Sequence, residues 1–166
     1  AMEYVEGENL WDLVQNRGIL SEKQAVKYIR QVGEALKVIH ENGLLHRDIK
    51  PNNIIVRANK SQAVLIDFGL ARGFISNFTE LHTIEGTDGF APPEQYIEEA
   101  IRGEYTDVYA LAATLYYLLT GKVPPPAFTR NVEDSLIPPK QQNTNIRDRV
   151  NSAIINGMAL EVQERP

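Results

Sequence analysis

Residues 108–119 leave almost no room for a solvent-facing side. Ala110, Leu111, Ala112, Ala113, Leu115, Leu118 and Leu119 crowd this stretch, which begins at Tyr105-Thr106-Asp107 and ends at Gly121 and Pro124-Pro125-Pro126. A helix that is apolar around its circumference has to be wrapped by other elements, and the glycine and prolines stop it. About twelve residues fall short of the roughly 20 that a bilayer span needs, so the stretch reads as the core of a globular domain. A second helix lies between the capping box Ser21-Glu22-Lys23-Gln24, in which Gln24 reaches back to the cap, and the left-handed stop Asn42-Gly43. Its inward stripe is Ala25, Val26, Ile29, Val32, Leu36 and Ile39, at three- and four-residue steps, while Lys23, Lys27, Arg30, Glu34 and Lys37 lie mostly off it. His40, near its end, reads as a capping or packing residue.

Shorter elements fill the rest. Residues 2–7 form a strand-like piece ended by Gly7, and residues 9–16 have helical character up to Gly18. Ile54-Ile55-Val56 and residues 63–66 read as two short strands joined by the polar turn 57–62. Pro92 and Pro93 are suited to start a helix over 94–101, residues 124–145 are irregular with one short helix, and residues 145–156 form a helix with Ile146, Val150, Ile154 and Ile155 inward. The pattern predicts a mainly α (α+β) fold with a short β-hairpin.

The chain of 166 residues suffices for one core and not obviously for two. A net charge of −5 without a long basic run argues against nucleic acid or an anionic membrane as the main partner. Without cysteine there is neither a disulfide framework nor a thiolate metal site. The acidic start lacks the look of a secretory signal, and the reading is cytoplasmic.

The chemistry concentrates in His46-Arg47-Asp48-Ile49-Lys50-Pro51-Asn52-Asn53 and, after the apolar Ala63-Val64-Leu65-Ile66, in Asp67-Phe68-Gly69. An acid can orient a hydroxyl and take its proton, a lysine can neutralise a phosphoryl oxygen, and an amide oxygen with a carboxylate offers hard ligands to Mg²⁺. Each residue alone could be turn chemistry. As a set they suit phosphoryl transfer.

The pattern His-Arg-Asp-x-Lys-x-x-Asn followed by Asp-Phe-Gly resembles the catalytic loop and metal motif of eukaryotic-type Ser/Thr protein kinases. Lys50, two after the acid, resembles the Ser/Thr-specific branch, and Gly86-Thr87-Asp88-Gly89-Phe90-Ala91-Pro92-Pro93-Glu94-Gln95-Tyr96 resembles its bacterial members. The resemblance covers nearly the whole chain. It implies a protein-kinase-like large lobe over residues 1–166, starting at the hinge (1–8), lacking the amino-terminal lobe and the last helix, with an activation segment at 67–94.

By that resemblance Asp48 and Lys50 are catalytic, and Asn53 and Asp67 hold Mg²⁺, with Mn²⁺ as an alternative ion. Met2 sits at the gatekeeper, the backbone of Glu3 and Val5 faces the adenine of ATP, Glu8 or Asn9 lies near the ribose, and Ile55 forms part of the adenine floor. Thr87 would hydrogen-bond Asp48 and Lys50. Thr83 is the first choice for a regulatory phosphate, ahead of Thr79 and Ser76, with Arg47 as its partner. His46 and Phe68 have structural places, Glu94 pairs with Arg165, and Asp107 caps the backbone of the catalytic loop. The chain departs from the pattern at Pro92, where alanine is common, at Asp88, where proline is frequent, and at Ala112, where glycine is common.

The implied function is transfer of the ATP γ-phosphoryl to Ser or Thr of a protein substrate. No glycine-rich loop, strand lysine or helix glutamate is evident, so the chain by itself is expected to be nearly idle. The alternatives are a non-catalytic binding module or decoy and, third, a small-molecule phosphotransferase. Apolar surface left by the absent parts would allow a homodimer.

Overall fold

The computed structural model describes residues 5–67, 72–73 and 88–166. The order is β1 (Gly7–Asn9), α1 (Leu10–Arg17), α2 (Glu22–Glu41), β2 (Leu44–Leu45), a 3₁₀ turn (Pro51–Asn53), β3 (Ile54–Arg57), β4 (Ala63–Leu65), β5 (Arg72–Gly73), α3 (Glu104–Thr120), α4 (Ala127–Arg130), α5 (Pro139–Gln142) and α6 (Asp148–Gly157). The fold is helical with a small antiparallel sheet in the order β1-β3-β4, in which Asn9 lies opposite Ile55 and Ile55 opposite Val64. A second ladder pairs β2 with β5.

Helix α3 is the axis of the core. It begins a turn before Val108, at Glu104, and Tyr109, Ala113, Tyr117, Leu118 and Leu119 are buried. Three of its four tyrosines, Tyr109, Tyr116 and Tyr117, bring polar tips inward, and each finds a partner. Tyr117 accepts from Gln15 Nε2 at 2.9 Å, Tyr116 donates to the Ile137 carbonyl at 3.1 Å, and Tyr109 accepts from Arg130 at 3.1 Å. Burial raises the pKa of these three phenols, disfavouring the phenolate. Trp11 of α1 stacks on Tyr117 at 4.8 Å, nearly parallel, and Phe90 meets the same ring edge-on at 6.1 Å. Helix α2 lays Ala25, Tyr28, Val32 and Leu36 into this core, with Val26, Ile29 and Ile39 packed along its flank. Tyr28 joins the stripe because it lies one helical turn from both Ala25 and Val32.

The structure corrects several local expectations. Gly7 starts β1 rather than ending a strand, because a Cβ there would lie 2.1 Å from the Val56 carbonyl oxygen, and only glycine lets the strands approach so closely. Ser21 caps α2 by accepting from the Gln24 N–H at 3.3 Å, but the Gln24 side chain bonds the Ser21 hydroxyl at 3.0 Å instead of the cap's backbone. Residues 94–101 do not form a helix. A single 3₁₀ turn (Pro93–Gln95) is followed by irregular chain whose Ile97 and Ala100 carbonyls accept from the buried Arg102 guanidinium at 3.1 and 3.2 Å, the Ile97 carbonyl also taking the Ala100 N–H at 3.2 Å. Two short helices, α4 and α5, rather than one, lie in 124–145, and α6 begins at Asp148, three residues later than the pattern suggests.

Among the described residues no helix is long and apolar enough to cross a membrane. Helices α3 and α6 touch where Ala112 faces Gly157, and a Cβ on Gly157 would come within 2.6 Å of the Ala112 Cβ. The alanine at 112 is thus accommodated by the glycine opposite. Gly157→Ala should destabilise the protein by about 1–3 kcal/mol, and an added Ala112→Gly should recover roughly 1 kcal/mol of coupling. Urea unfolding of the four proteins in the cycle checks this; strict additivity would show that the helices do not collide there.

Candidate active site

The site is assembled around a carboxylate that is fully buried. Asp107, in the first turns of α3, accepts the His46 N–H on Oδ2 at 2.9 Å and the Arg47 N–H on Oδ1 at 2.8 Å, while His40 Nε2 lies 2.8 Å from Oδ2. The positive end of the helix favours the charge, and these donors replace the water it has lost. His40 therefore does more than pack or cap. Its hydrogen bond to Asp107 holds its pKa above the ordinary imidazole value, against the opposing effect of burial and with help from the charges of Asp107 and Glu104.

The loop so anchored has an unusual bend. Arg47 sits at φ 67°, the left-handed region, which costs a non-glycine residue about 1–2 kcal/mol. Past this bend, His46 Nδ1 accepts the Asp48 N–H at 3.3 Å, so its proton sits on Nε2, which donates to the Ile66 carbonyl at 3.1 Å. The Ile66 N–H in turn donates to the Asn53 carbonyl at 2.9 Å. The imidazole and one backbone bond thereby bring the end of β4, and Asp67 after it, against the loop that carries Asp48 and Asn53.

Asp48 is held at both carboxylate oxygens. Lys50 Nζ lies 3.2 Å from Oδ1, and Asn53 Nδ2 donates to Oδ2 at 2.8 Å while also reaching the Asp48 main-chain carbonyl at 2.8 Å. The side chains of Lys50 and Asp48 remain 21% and 16% exposed, so the pair is partly open to solvent. Asn53 is positioned by the turn Pro51–Asn53, in which Pro51 occupies the first helical position.

The donors present fit a hard cation. With the Asn53 amide nitrogen committed to Asp48, Oδ1 is the atom left to a metal. Asp67, exposed and at φ 64°, adds a carboxylate. Mg²⁺ is commonly held by one or two carboxylates with phosphate oxygens and water completing its shell. Among the described residues no group of three or more His, Cys, Asp or Glu is placed to hold a metal ion.

Other expected site residues are placed as follows. Ile55 lies in β3, half-buried, and Val5 precedes β1. Asn9 caps α1, accepting from the Asp12 N–H and donating to the Asp12 carboxylate, each at 2.8 Å, and Glu8 binds Asn16 and Arg17. Glu94 and Arg165 form a buried two-bond ion pair at 2.7 and 3.0 Å, with the Thr106 hydroxyl donating to Glu94 at 3.0 Å. Met2, Glu3, Phe68, Ser76, Thr79, Thr83 and Thr87 lie outside the described residues. Two contacts escaped the sequence reading: His40 with Asp107, and Gln95 Nε2, which donates to the Arg47 carbonyl at 2.7 Å. Both partners are distant in sequence, and no local pattern signals them.

Asp107→Asn should lower stability by about 1–3 kcal/mol for each donor left unsatisfied, read from the urea midpoint. For His40 the folded pKa lies above the unfolded value of 6.5, so its ionic contribution is complete below that value and fades as pH rises through the folded one. The stability difference between the parent and His40→Gln should accordingly be larger at about pH 6 than at about pH 9. A flat or rising difference would contradict the charged pair.

Comparison with known proteins agrees with this geometry. The protein kinase domain family model matches residues 1–159. Serine/threonine-protein kinase PknB of Mycobacterium leprae (strain TN) is 32% identical over 172 residues, covering 99% of this chain and 27% of that protein. The probable serine/threonine-protein kinase KIN1 homolog of Enterocytozoon bieneusi (strain H348) is 41% identical over 126 residues, 74% of this chain and 20% of that protein. The chain thus spans about a quarter of the length of the first of these relatives. A solved structure described as the PpkA-294 apo form superposes with a TM-score of 0.79 at 32% identity, over 99% of this chain and 58% of that one. The chain belongs to the protein kinase domain family, on its serine/threonine side.

Proposed function

We propose that these residues form the large lobe of a Ser/Thr protein kinase that transfers the γ-phosphoryl group of Mg-ATP to a Ser or Thr hydroxyl of a protein. The observation that carries this reading is the two-sided hold on Asp48 by Lys50 and Asn53. Asp48 orients the acceptor hydroxyl and takes its proton as the oxygen bonds to the γ-phosphorus. The bond from that phosphorus to the β,γ-bridging oxygen breaks, and ADP leaves. Lys50, within reach of the same carboxylate, neutralises charge on the phosphoryl oxygens in flight. Asn53 and Asp67 would hold Mg²⁺, with Mn²⁺ able to substitute; the ion supplies charge neutralisation at the phosphates.

Lys50 and the long segment to Glu94 favour a protein over a small-molecule acceptor. Adenine contacts by Met2, Glu3, Val5 and Ile55, and a ribose contact by Asn9, belong to the same proposal. So do acceptor selection by Thr87, a regulatory phosphate on Thr83 facing Arg47, a cytoplasmic location, and a homodimer through exposed apolar side chains such as Ile101 and Val132, 82% and 92% exposed.

Phosphoryl transfer depends mostly on positioning and electrostatics, so a site with one wall of the nucleotide clamp does little. Incubated with γ-labelled ATP, Mg²⁺ and a basic protein substrate, the chain by itself should transfer negligible label. Joined behind the glycine-rich-loop lobe of a serine/threonine kinase, it should label Ser and Thr, and Asp48→Asn should reduce the rate by about 10²–10⁴-fold. No transfer by the joined protein would reject the catalytic reading in favour of a binding module.

A further inference from the structure

The peptide unit between Arg47 and Asp48 is gripped at both of its polar groups by side chains. Its carbonyl accepts from Gln95 Nε2 at 2.7 Å, and its N–H donates to His46 Nδ1 at 3.3 Å. The preceding unit is held as well, the Arg47 N–H donating to Asp107 Oδ1 at 2.8 Å. A carbonyl oxygen only accepts, so the amide group of Gln95 must turn its nitrogen toward it.

Gln95 reaches across 48 residues of sequence from a fixed base. Its N–H closes the 3₁₀ turn onto the Pro92 carbonyl at 3.0 Å, and its neighbour Glu94 is locked to Arg165 and Thr106 in the interior. The residue it grips is the one at φ 67°, where a non-glycine backbone gains by relaxing. Rotation of this peptide would swing the Cα–Cβ bond of Asp48, and with it the carboxylate, away from Lys50 and Asn53.

We propose that Gln95 is a positioning residue for Asp48: by donating to the Arg47 carbonyl it fixes the plane of the 47–48 peptide and holds the acid in register with Lys50 and Asn53. This makes the end of the segment after Asp67 a mechanical support of the acid through the backbone, separate from any phosphate and from the Arg47 guanidinium. The consequence for rate rests on the phosphotransfer reading; the clamp itself does not.

Hydrogen exchange by NMR on the purified chain tests the clamp, comparing the parent with Gln95→Leu and Gln95→Glu. The glutamate keeps the length and shape but, ionised, has no donor. Both variants should speed exchange of the Asp48 N–H and of the Asn53 side-chain amide roughly tenfold, the equivalent of one lost hydrogen bond, while amides in the middle of α3 keep parental rates. Parental exchange at Asp48 and Asn53 in either variant would overturn the proposal. Acceleration throughout α3 would also overturn it, since Gln95 would then serve overall stability only. In the joined protein, Gln95→Leu should lower kcat roughly tenfold with the KM for ATP unchanged. A parent that transfers nothing would count against the functional reading while leaving the exchange result to decide the clamp.

Discussion

A buried carboxylate is tolerable only if enough donors converge on it, and Asp107 obtains them from two separate parts of the chain. The end of α2 supplies His40, and the loop after β2 supplies the amides of His46 and Arg47. The demand is physical: a stranded charge in the interior would be worth several kcal/mol of destabilisation. Meeting it pins the loop to the most buried helix of the molecule. From that pin His46 reaches the end of β4, and Asp48 is presented between Lys50 and Asn53.

A second buried contact fixes another part of the chain near the loop. Glu94 and Arg165 pair in the interior, and the guanidinium also binds the Ala159, Leu160 and Tyr105 carbonyls at 2.7, 3.0 and 3.2 Å. Arg165 also lies 5.0 Å over the ring of Tyr109. The pair joins the end of the segment after Asp67 to the last residues of the chain, and it leaves Gln95 aimed at the loop that Asp107 holds. The loop that carries Asp48 is thus held at its backbone by two side chains, Asp107 of α3 and Gln95 of the turn at Pro93–Gln95. A short polar loop keeps its shape because rigid neighbours hold it, even though one of its residues sits in an unfavourable backbone region.

Much of the architecture is visible in local pattern. The stripe of α2, the cap at Ser21, the stops at Gly18, Gly43 and Gly121, and the strands around the turn 57–62 all follow from spacing and residue type. Those rules failed where a distant group took over a local task. Residues 94–101 carry a proline start suited to a helix, yet Glu94 turns inward to Arg165, 71 positions away. Gly7 looked like a stop because nothing nearby announces the Val56 carbonyl that excludes a side chain there. His40 looked like a helix-end residue because its partner lies 67 positions away.

What the chain's own order of residues determined is the inventory and its grouping: an acid, a lysine, an amide and a second acid close enough in sequence to serve one phosphoryl group, and helices whose apolar faces require a common core. Membership of the protein kinase domain family follows from that order alone. Tertiary structure decided how the acid is held. Side-chain hydrogen bonds to backbone act over about 3 Å, and the partners that satisfy buried groups are chosen by which elements pack together, not by neighbours along the chain. The tautomer of His46, the charge-bearing contact of His40 and the reach of Gln95 become defined only when α2, α3 and the turn after Pro92 close around one loop.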